Sequence, residues 1–449
     1  MIRAAAVIAL LLAAALPSTA VAQERNPPPV FKKTGHKLPE TTQPPARWPT
    51  MEYVDVAVLA AALGAASYLA VKRRSRRALF VLMLASLAYL GFYRQGCVCP
   101  IGAIQNVTLA IFDPTYAIPL AAVAFFVLPL AATLFAGRTF CGAVCPLGAV
   151  QDVVTLHPVK VPTWLEHALG LLPFVYLTAG VLLAATGARF LICEYDPFVG
   201  FFRLSGSLQM ILLGGIMLLI GVFVARPYCR FLCPYGAVLR ILSRISWRHV
   251  TVTPDECIKC RLCEDSCPFG AINKPAPPMP PRHRLAGKVA LAVTICLLPI
   301  LVVLGGWGAK FLAPALSRAH WKVALAQQVW SEEADKAKAT AAGASDEAIG
   351  KLEGRTNETK NFRNSGQSLE ELLAEEKAVT SRFATGLWWA GAFLGLVIGT
   401  KLIYVSVRRT SADYEPDRAR CVSCGRCFLY CPKEHVRLRK LRGTEPPKP

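Results

Sequence analysis

The chain has 449 residues, sixteen cysteines, a formal charge of +21 and 54% hydrophobic residues. Apolar content of that order, gathered in long runs, excludes a large soluble protein and places the chain among membrane proteins. The charge does not point to nucleic acid. Basic residues cluster beside apolar runs (Lys72, Arg73, Arg74, Arg76, Arg77; Arg408, Arg409), as positive-inside orientation requires, and no nucleic-acid fold signature goes with them. A small disulfide scaffold is excluded as well, because it would lack membrane spans.

Residues 1–22 combine one arginine, an apolar core and the small-x-small end Ala20-Val21-Ala22, and are expected to be a secretory signal cleaved before Gln23. Left uncleaved, the segment would not change the topology of the remaining chain. Residues 23–50 are polar and proline-rich, an extended extracytoplasmic lead with little capacity to fold alone. Seven apolar runs come next, near 52–71, 78–94, 115–136, 167–188, 207–225, 286–307 and 384–407. Each is long enough, or nearly so, for a tilted spanning helix.

The acid-free loop KRRSRR between the first two runs is expected in the cytoplasm of a bacterial inner membrane. Counting onward puts Cys97 and Cys99 outside, Cys141 and Cys145 inside, Cys193 outside, and Cys229 and Cys233 inside. Residues 308–383, between the last two runs, form an extracytoplasmic insertion. Its stretches WKVALAQQVWSEEADKAKATAAG and LEELLAEEKAVTSRF read as amphipathic helices of a solvated cap in preference to a docking site.

Cysteine carries the chemistry. Three segments resemble one another: CVCPIGAIQNV (97–107), CGAVCPLGAVQDV (141–153) and CRFLCPYGAVLRI (229–241). Each sets Cys-Pro just before Gly-Ala and an apolar helical run. Proline fixes the backbone entering the helix, and glycine permits close approach. Helix-start amides should lower the thiol pKa toward the thiolate that metal ligation needs. Copies two and three supply Cys141, Cys145, Cys229 and Cys233, four thiols that suit one further iron–sulfur cluster. Structural thiols or a redox dithiol pair are the alternatives.

On the other side Cys97 and Cys99 meet Cys193, in ICEYDPFVGFF. Three thiols are one short of a tetrathiolate centre, with Asp196 an unusual candidate for the fourth place. A disulfide is the rival there, in an oxidising compartment. Cys296 lies mid-span and reads as a small core residue.

Two runs remain, Cys257-x2-Cys260-x2-Cys263-x3-Cys267-Pro and Cys421-x2-Cys424-x2-Cys427-x3-Cys431-Pro. In bacterial ferredoxin spacing the first three thiolates close on one [4Fe–4S] cluster, and the fourth ligates its neighbour. Cys257, Cys260, Cys263 and Cys431 are therefore paired on one cluster, and Cys421, Cys424, Cys427 and Cys267 on the other. Structural zinc sites would instead show separated Cys-x2-Cys knuckles. The shared fourth ligands require both runs on one side of the membrane, and the span count puts both inside.

The histidines give little. There is no Cys-x-x-Cys-His for covalent haem, and His157 and His167 could be surface or quinone-adjacent. Asp152, Glu194 and Asp196 stand near cysteine motifs at span ends, where ordinary solvation is expected. The fold class is an all-α polytopic membrane helix bundle with a small α+β cytoplasmic two-cluster ferredoxin-like domain. Membrane helices with Cys-Pro motifs fill 51–250, the ferredoxin halves fill 251–275 and 408–449 (the latter with a basic tail), and membrane helices at 285–307 and 384–407 flank the insertion.

FCGAVCPLGA and YCRFLCPYGA followed by CIKCRLCEDSCPFGAI resemble the membrane polyferredoxins. That family includes NapH-type quinol dehydrogenase components, the membrane part of NosR, and CcoG-type copper-handling proteins. The similarity covers roughly residues 78–275 and 415–435. It implies a helix bundle carrying a two-cluster ferredoxin, with electrons crossing the membrane. The chain departs from the family in its 308–383 insertion, its extra CVCP copy and Cys193, and no clear flavinylation motif marks a full NosR.

The expected function is a transmembrane iron–sulfur electron conduit between the quinol pool, or a cytoplasmic donor, and a periplasmic reductase or flavoprotein. No catalytic residue or quinone pocket is identified, so quinol dehydrogenase activity stays open. Two rivals also stay open: a copper-reducing or metalloenzyme assembly factor, and a redox-sensing membrane regulator. No Met-rich or His-rich external tract supports copper delivery.

Overall fold

The computed structural model describes residues 49–96, 99–252, 257–276, 281–343, 350, 352–407 and 411–441. The expected signal, nearly all of the proline-rich lead, Cys97, Arg408, Arg409 and the end of the basic tail lie outside the described residues. The chain divides into two compact units. The larger comprises Arg47–His320 and Thr380–Pro449, and the described part of the smaller is Trp321–Val379.

In the larger unit and the helix leading into it, five helices are long and apolar enough to cross a membrane: Thr50–Arg73, Arg76–Tyr93, Thr163–Ala185, Leu285–Lys310 and Leu369–Ser406. They correspond to the first, second, fourth, sixth and seventh expected runs. The last starts well before residue 384, because LEELLAEEK offers no breaker and the helix continues unbroken into the apolar stretch. The third and fifth runs fall short. They are the helices Leu120–Ala136, of 17 residues, and Leu208–Phe223, of 16. At 1.5 Å per residue each covers roughly 25 Å, so to cross a hydrocarbon core of about 30 Å each would need the bilayer to thin locally.

Local chemistry sets those limits. Pro119 and the positive-φ Gly137 bracket the first short helix, while the Ser207 cap and the left-handed Arg226 bracket the second. Elsewhere the membrane helices pack closely. A Cβ on Gly391 would lie 2.1 Å from the carbonyl oxygen of Gly305, and one on Gly395 would lie 2.1 Å from that of Leu301. The backbones of Leu285–Lys310 and Leu369–Ser406 therefore touch where only glycine fits.

The two cysteine-rich halves form one body. Strand β1 (Ile272–Asn273) pairs antiparallel with β2 (Glu415–Pro416), Ile272 opposite Pro416. A bridge between Ala276 and Ser411 extends the ladder. The short helix Leu262–Asp265 packs on Arg426–Tyr430. The sheet is tiny, and the described chain is otherwise helical.

The basic loop does more than orient the chain. The buried Arg74 guanidinium donates to Glu434 at 2.6 Å and to the Thr251 and Val252 carbonyls at 2.7 Å, and lies over the Phe428 ring. Arg76 donates to the Cys424 carbonyl and to Asp152. Two of the arginines read as positive-inside markers thus dock the cysteine-rich halves against the first helical hairpin. Loop and halves lie on one side of the bundle.

In the smaller unit Trp321–Ala341 and Asn357–Ser365 pair through Ala326, Val329 and Phe362, joined by Leu372. Glu332, 2% exposed, organises the turn between the two helices. It accepts from the Gly354 and Arg355 N–H groups, from Thr359 Oγ1 and from Arg363. Burial pushes its pKa up, but these donors more than offset that and hold it below the usual range. Its contribution is therefore complete above about pH 4.3 and fades as pH falls through the depressed value. Glu332→Gln should cost about 1–3 kcal/mol locally. The expected sign is faster amide exchange over residues 353–363 at pH 7, with little further loss on acidification; unchanged exchange would refute it.

Candidate metal centres

The three Cys-Pro motifs repeat in structure as well as in sequence. Cys99, Cys145 and Cys233 each stand at a helix N-cap with proline at the first helical position. In each, the N–H of the glycine three residues on points at the sulfur: Gly102 to Cys99, Gly148 to Cys145, Gly236 to Cys233. The glycines also make room. A Cβ on Gly102 would sit 3.2 Å from Cys193 Sγ, and one on Gly148 would sit 3.2 Å from both Arg226 and the Cys141 carbonyl.

The described cysteine thiols other than Cys296 fall into four neighbourhoods, legible in the charges each sulfur meets. Cys145 is pushed well up by burial, with Cys229, Cys141 and Cys233 adding to it. Cys263 is pushed up to about 11 by burial, with Cys257, Cys431 and Cys260 contributing. Cys427 is raised by burial and then by Cys421, Cys424 and Cys267. Cys99 is pushed up to about 12 by burial and Asp196, with Cys193 a further contributor. The expected depression of thiol pKa at helix starts is corrected here. The amides do act downward, but burial outweighs them.

The donor set fits iron–sulfur clusters. Three neighbourhoods hold four thiols each, and one cavity is lined by Cys257, Cys260, Cys263 and Cys431 together. Such thiols are poor bare thiolates, and bound iron would supply the positive charge that keeps them deprotonated. Donors to sulfur are already in place: Gln151 Nε2 to Cys229 at 3.3 Å, Arg138 to Cys141 at 3.6 Å and the Ala271 N–H to Cys267 at 3.4 Å. Among the described residues, no three His, Cys, Asp or Glu side chains converge as a single metal ion would need. Cys296 is exposed on its membrane helix, away from all four groups.

The aspartates depart from expectation. Asp152 and Asp196 are buried, 4% and 3% exposed, and only Glu194 is a surface residue, paired with Arg189. Asp152 meets Arg76 at 3.0 Å, Arg426 at 3.2 Å and Arg226 at 3.5 Å. Burial pushes its carboxyl up, yet the three guanidiniums hold it at about 2. Burial raises Asp196 to about 6, against N–H bonds from Phe198 and Val199 and the charge of Arg203. Solvation at span ends was the wrong expectation because arginines from distant segments close over Asp152, and Asp196 turns back onto the N–H groups of its own loop.

Sequence reasoning also missed Gln105 and Gln151, which occupy the same place in copies one and two. Gln151 bonds Cys229 Sγ, while Gln105 Oε1 accepts the Cys193 N–H and its Nε2 is buried without a partner among the described residues. Aligning the copies would have found the pair.

The neighbourhoods are joined. Arg226, 1% exposed, meets the charges of Asp152, Cys229, Cys424 and Cys141 at once. A Cβ on Gly142 would lie 2.3 Å from the Val422 carbonyl, so the Cys141 motif lies directly on the Cys421 loop. Two residues on from Arg226, the buried Tyr228 meets the charges of Asp196, Cys233 and Cys99.

Residues 118–165 and 208–252 match a 4Fe–4S binding domain family, and residues 250–273 match a second family of the same description. A protein of Escherichia coli (strain K12), YccM, named provisionally as an electron transport protein, is 29% identical over 118 residues, 24% of this chain and 33% of that protein. Protein NirI of Paracoccus denitrificans (strain Pd 1222) is 31% identical over 120 residues, 26% of this chain and 18% of NirI. An uncharacterized protein of Methanocaldococcus jannaschii is 30% identical over 113 residues, 24% of this chain and 47% of its own length. These matches span less than half of each relative. No solved structure matches the chain. With cluster-type cysteine groups, 4Fe–4S domain matches and several helices long and apolar enough to cross a membrane, the chain is similar to the 4Fe–4S-binding membrane polyferredoxins.

Proposed function

We propose that the chain is a transmembrane electron conduit. Two [4Fe–4S] clusters are held in the cytoplasmic halves, one by Cys257, Cys260, Cys263 and Cys431 and the other by Cys421, Cys424, Cys427 and Cys267. Cys141, Cys145, Cys229 and Cys233 hold a relay centre, and Cys97, Cys99 and Cys193 a handover centre on the periplasmic side. The bound clusters supply one-electron chemistry. The chain's own residues space them, keep water out and direct N–H groups at the sulfurs.

The observation that supports this reading is the unbroken succession of cysteine groups. Arg226 is shared by the ferredoxin and relay groups, and Tyr228 by the relay and outer groups. The unpartnered Gln105 Nε2 beside Cys193 corresponds to the Gln151 Nε2 that bonds a relay sulfur, which favours a sulfur-held centre on the outer side as well. Electrons enter from the quinol pool or a cytoplasmic donor and leave to a periplasmic reductase or flavoprotein.

The test uses oriented vesicles of the full chain. Clusters reduced from the side carrying the ferredoxin halves should be oxidised by an impermeant acceptor on the other side. Cys193→Ser should keep the iron of the ferredoxin halves yet cut outward transfer at least tenfold, about 1.4 kcal/mol in an equivalent barrier. Normal transfer in that variant would refute the outer centre. No transfer in the unaltered chain would refute the conduit.

A further inference from the structure

A cavity beside the relay cysteines carries far more positive charge than its surroundings neutralise. It lies between the last turns of the spanning helix Leu369–Ser406, at Thr400, Lys401 and Tyr404, and the Asp417–Val422 segment, with the helix Pro234–Arg244 as a further wall. Seven arginine and lysine side chains line it against two carboxylates, Glu166 and Asp417.

Both carboxylates are already engaged. Glu166 accepts from Arg230 at 2.7 Å and Arg420 at 3.1 Å, and Asp417 accepts from Tyr404 and the Ala419 N–H. Arg138 donates to Cys141 Sγ, where the negative charge of cluster-held thiolates would offset its own, and Arg226 donates to the Cys141 carbonyl and is countered by Asp152. Among the described residues, Arg240, Arg244 and Lys401 are left with no carboxylate partner of their own in the cavity. Arg230 Nη1 and Arg240 Nε are buried with no hydrogen-bond acceptor among those residues, and Arg230 is only 9% exposed. Burial holds the Arg240 pKa down to about 10, and the neighbouring Arg138 and Arg230 act in the same direction.

Buried guanidinium N–H groups without acceptors are costly, and their planar forks match phosphate oxygens. A neutral quinone, with two carbonyl acceptors, would satisfy one or two donors and none of the charge. The site lies at the end of a spanning helix, the depth at which lipid headgroups sit. We propose that this cavity binds a phosphate-bearing anion, from an anionic lipid headgroup or from solution, through Arg230, Arg240 and Lys401. Apolar walls at Phe174 and Val397 suit the glycerol and upper acyl part of a lipid.

The experiment uses the full chain with its clusters, delipidated in detergent and offered cardiolipin, phosphatidylcholine or inorganic phosphate, with retention read by native mass spectrometry. Cardiolipin retained on the order of tenfold over phosphatidylcholine, and not displaced by millimolar phosphate, identifies a lipid headgroup. Displacement by phosphate, or phosphate bound alone, identifies the free anion. An R240Q/K401Q double variant with unchanged iron content should bring both to the phosphatidylcholine level. The proposal is overturned if the unaltered chain prefers neither cardiolipin nor phosphate, or if the iron-replete variant binds them as before. It is equally overturned if the molecule extracted from the cavity is a quinone whose occupancy falls in the variant.

Discussion

Cys263→Ser and Cys431→Ser are expected to lose the same cluster, although the two residues stand in different runs. Each variant should retain about four fewer irons per chain and lack the same electron paramagnetic resonance signal, while Cys427→Ser loses the other. The reason is spatial. Cys263 meets Cys257, Cys260 and Cys431, whereas Cys427 meets Cys421, Cys424 and Cys267. The short β1–β2 ladder holds the crossing in register. Because cluster binding contributes folding free energy, the first two variants should also expose the halves to proteolysis. If Cys431→Ser shared its missing signal with Cys427→Ser instead, each run would be closing on its own cluster and the crossed pairing would be wrong.

Asp152→Asn should be the most damaging substitution outside the cysteines. The carboxylate is the shared counter-charge of Arg76, Arg226 and Arg426, which come from the first helical hairpin, the relay motif and the second cysteine-rich half. Removing one partner of a buried ionic cluster costs about 3–5 kcal/mol, since the remaining charges stay desolvated without compensation. A thermal melt of the purified chain should show the loss, together with release of iron from the second half. Acid should not mimic it within the working range. With the carboxyl held at about 2, its contribution is complete above about pH 4 and is lost only as pH falls toward that value. A near-unchanged melting temperature would mean the three arginines find other partners, and the cluster is not a keystone.

Much of the site was legible because cluster ligation is written in short-range spacing. Cys-x2-Cys-x2-Cys-x3-Cys-Pro and the Cys-Pro-x-Gly-Ala repeat specify thiols, a helix start and a close approach within a dozen residues, and the glycines at 102, 148 and 236 stand where that reading needs them. Five of the membrane runs were legible for the same reason, since apolar length is a local property.

Spacing could not carry the partner of each charge. Arg74 and Arg76 read as topology markers and prove to be buried clamps on Glu434 and Asp152. Asp152 and Asp196 read as solvated ends and are buried. By itself the sequence determined the cysteine chemistry, the helix starts and the membrane class. Only the tertiary structure decided which arginines meet Asp152, that Arg226 stands between two groups of thiols, and that arginines outnumber carboxylates in one cavity. The physical reason is range. Ligand spacing and hydropathy act along a few turns of chain, whereas burial and ion pairing depend on segments hundreds of residues apart being folded against each other.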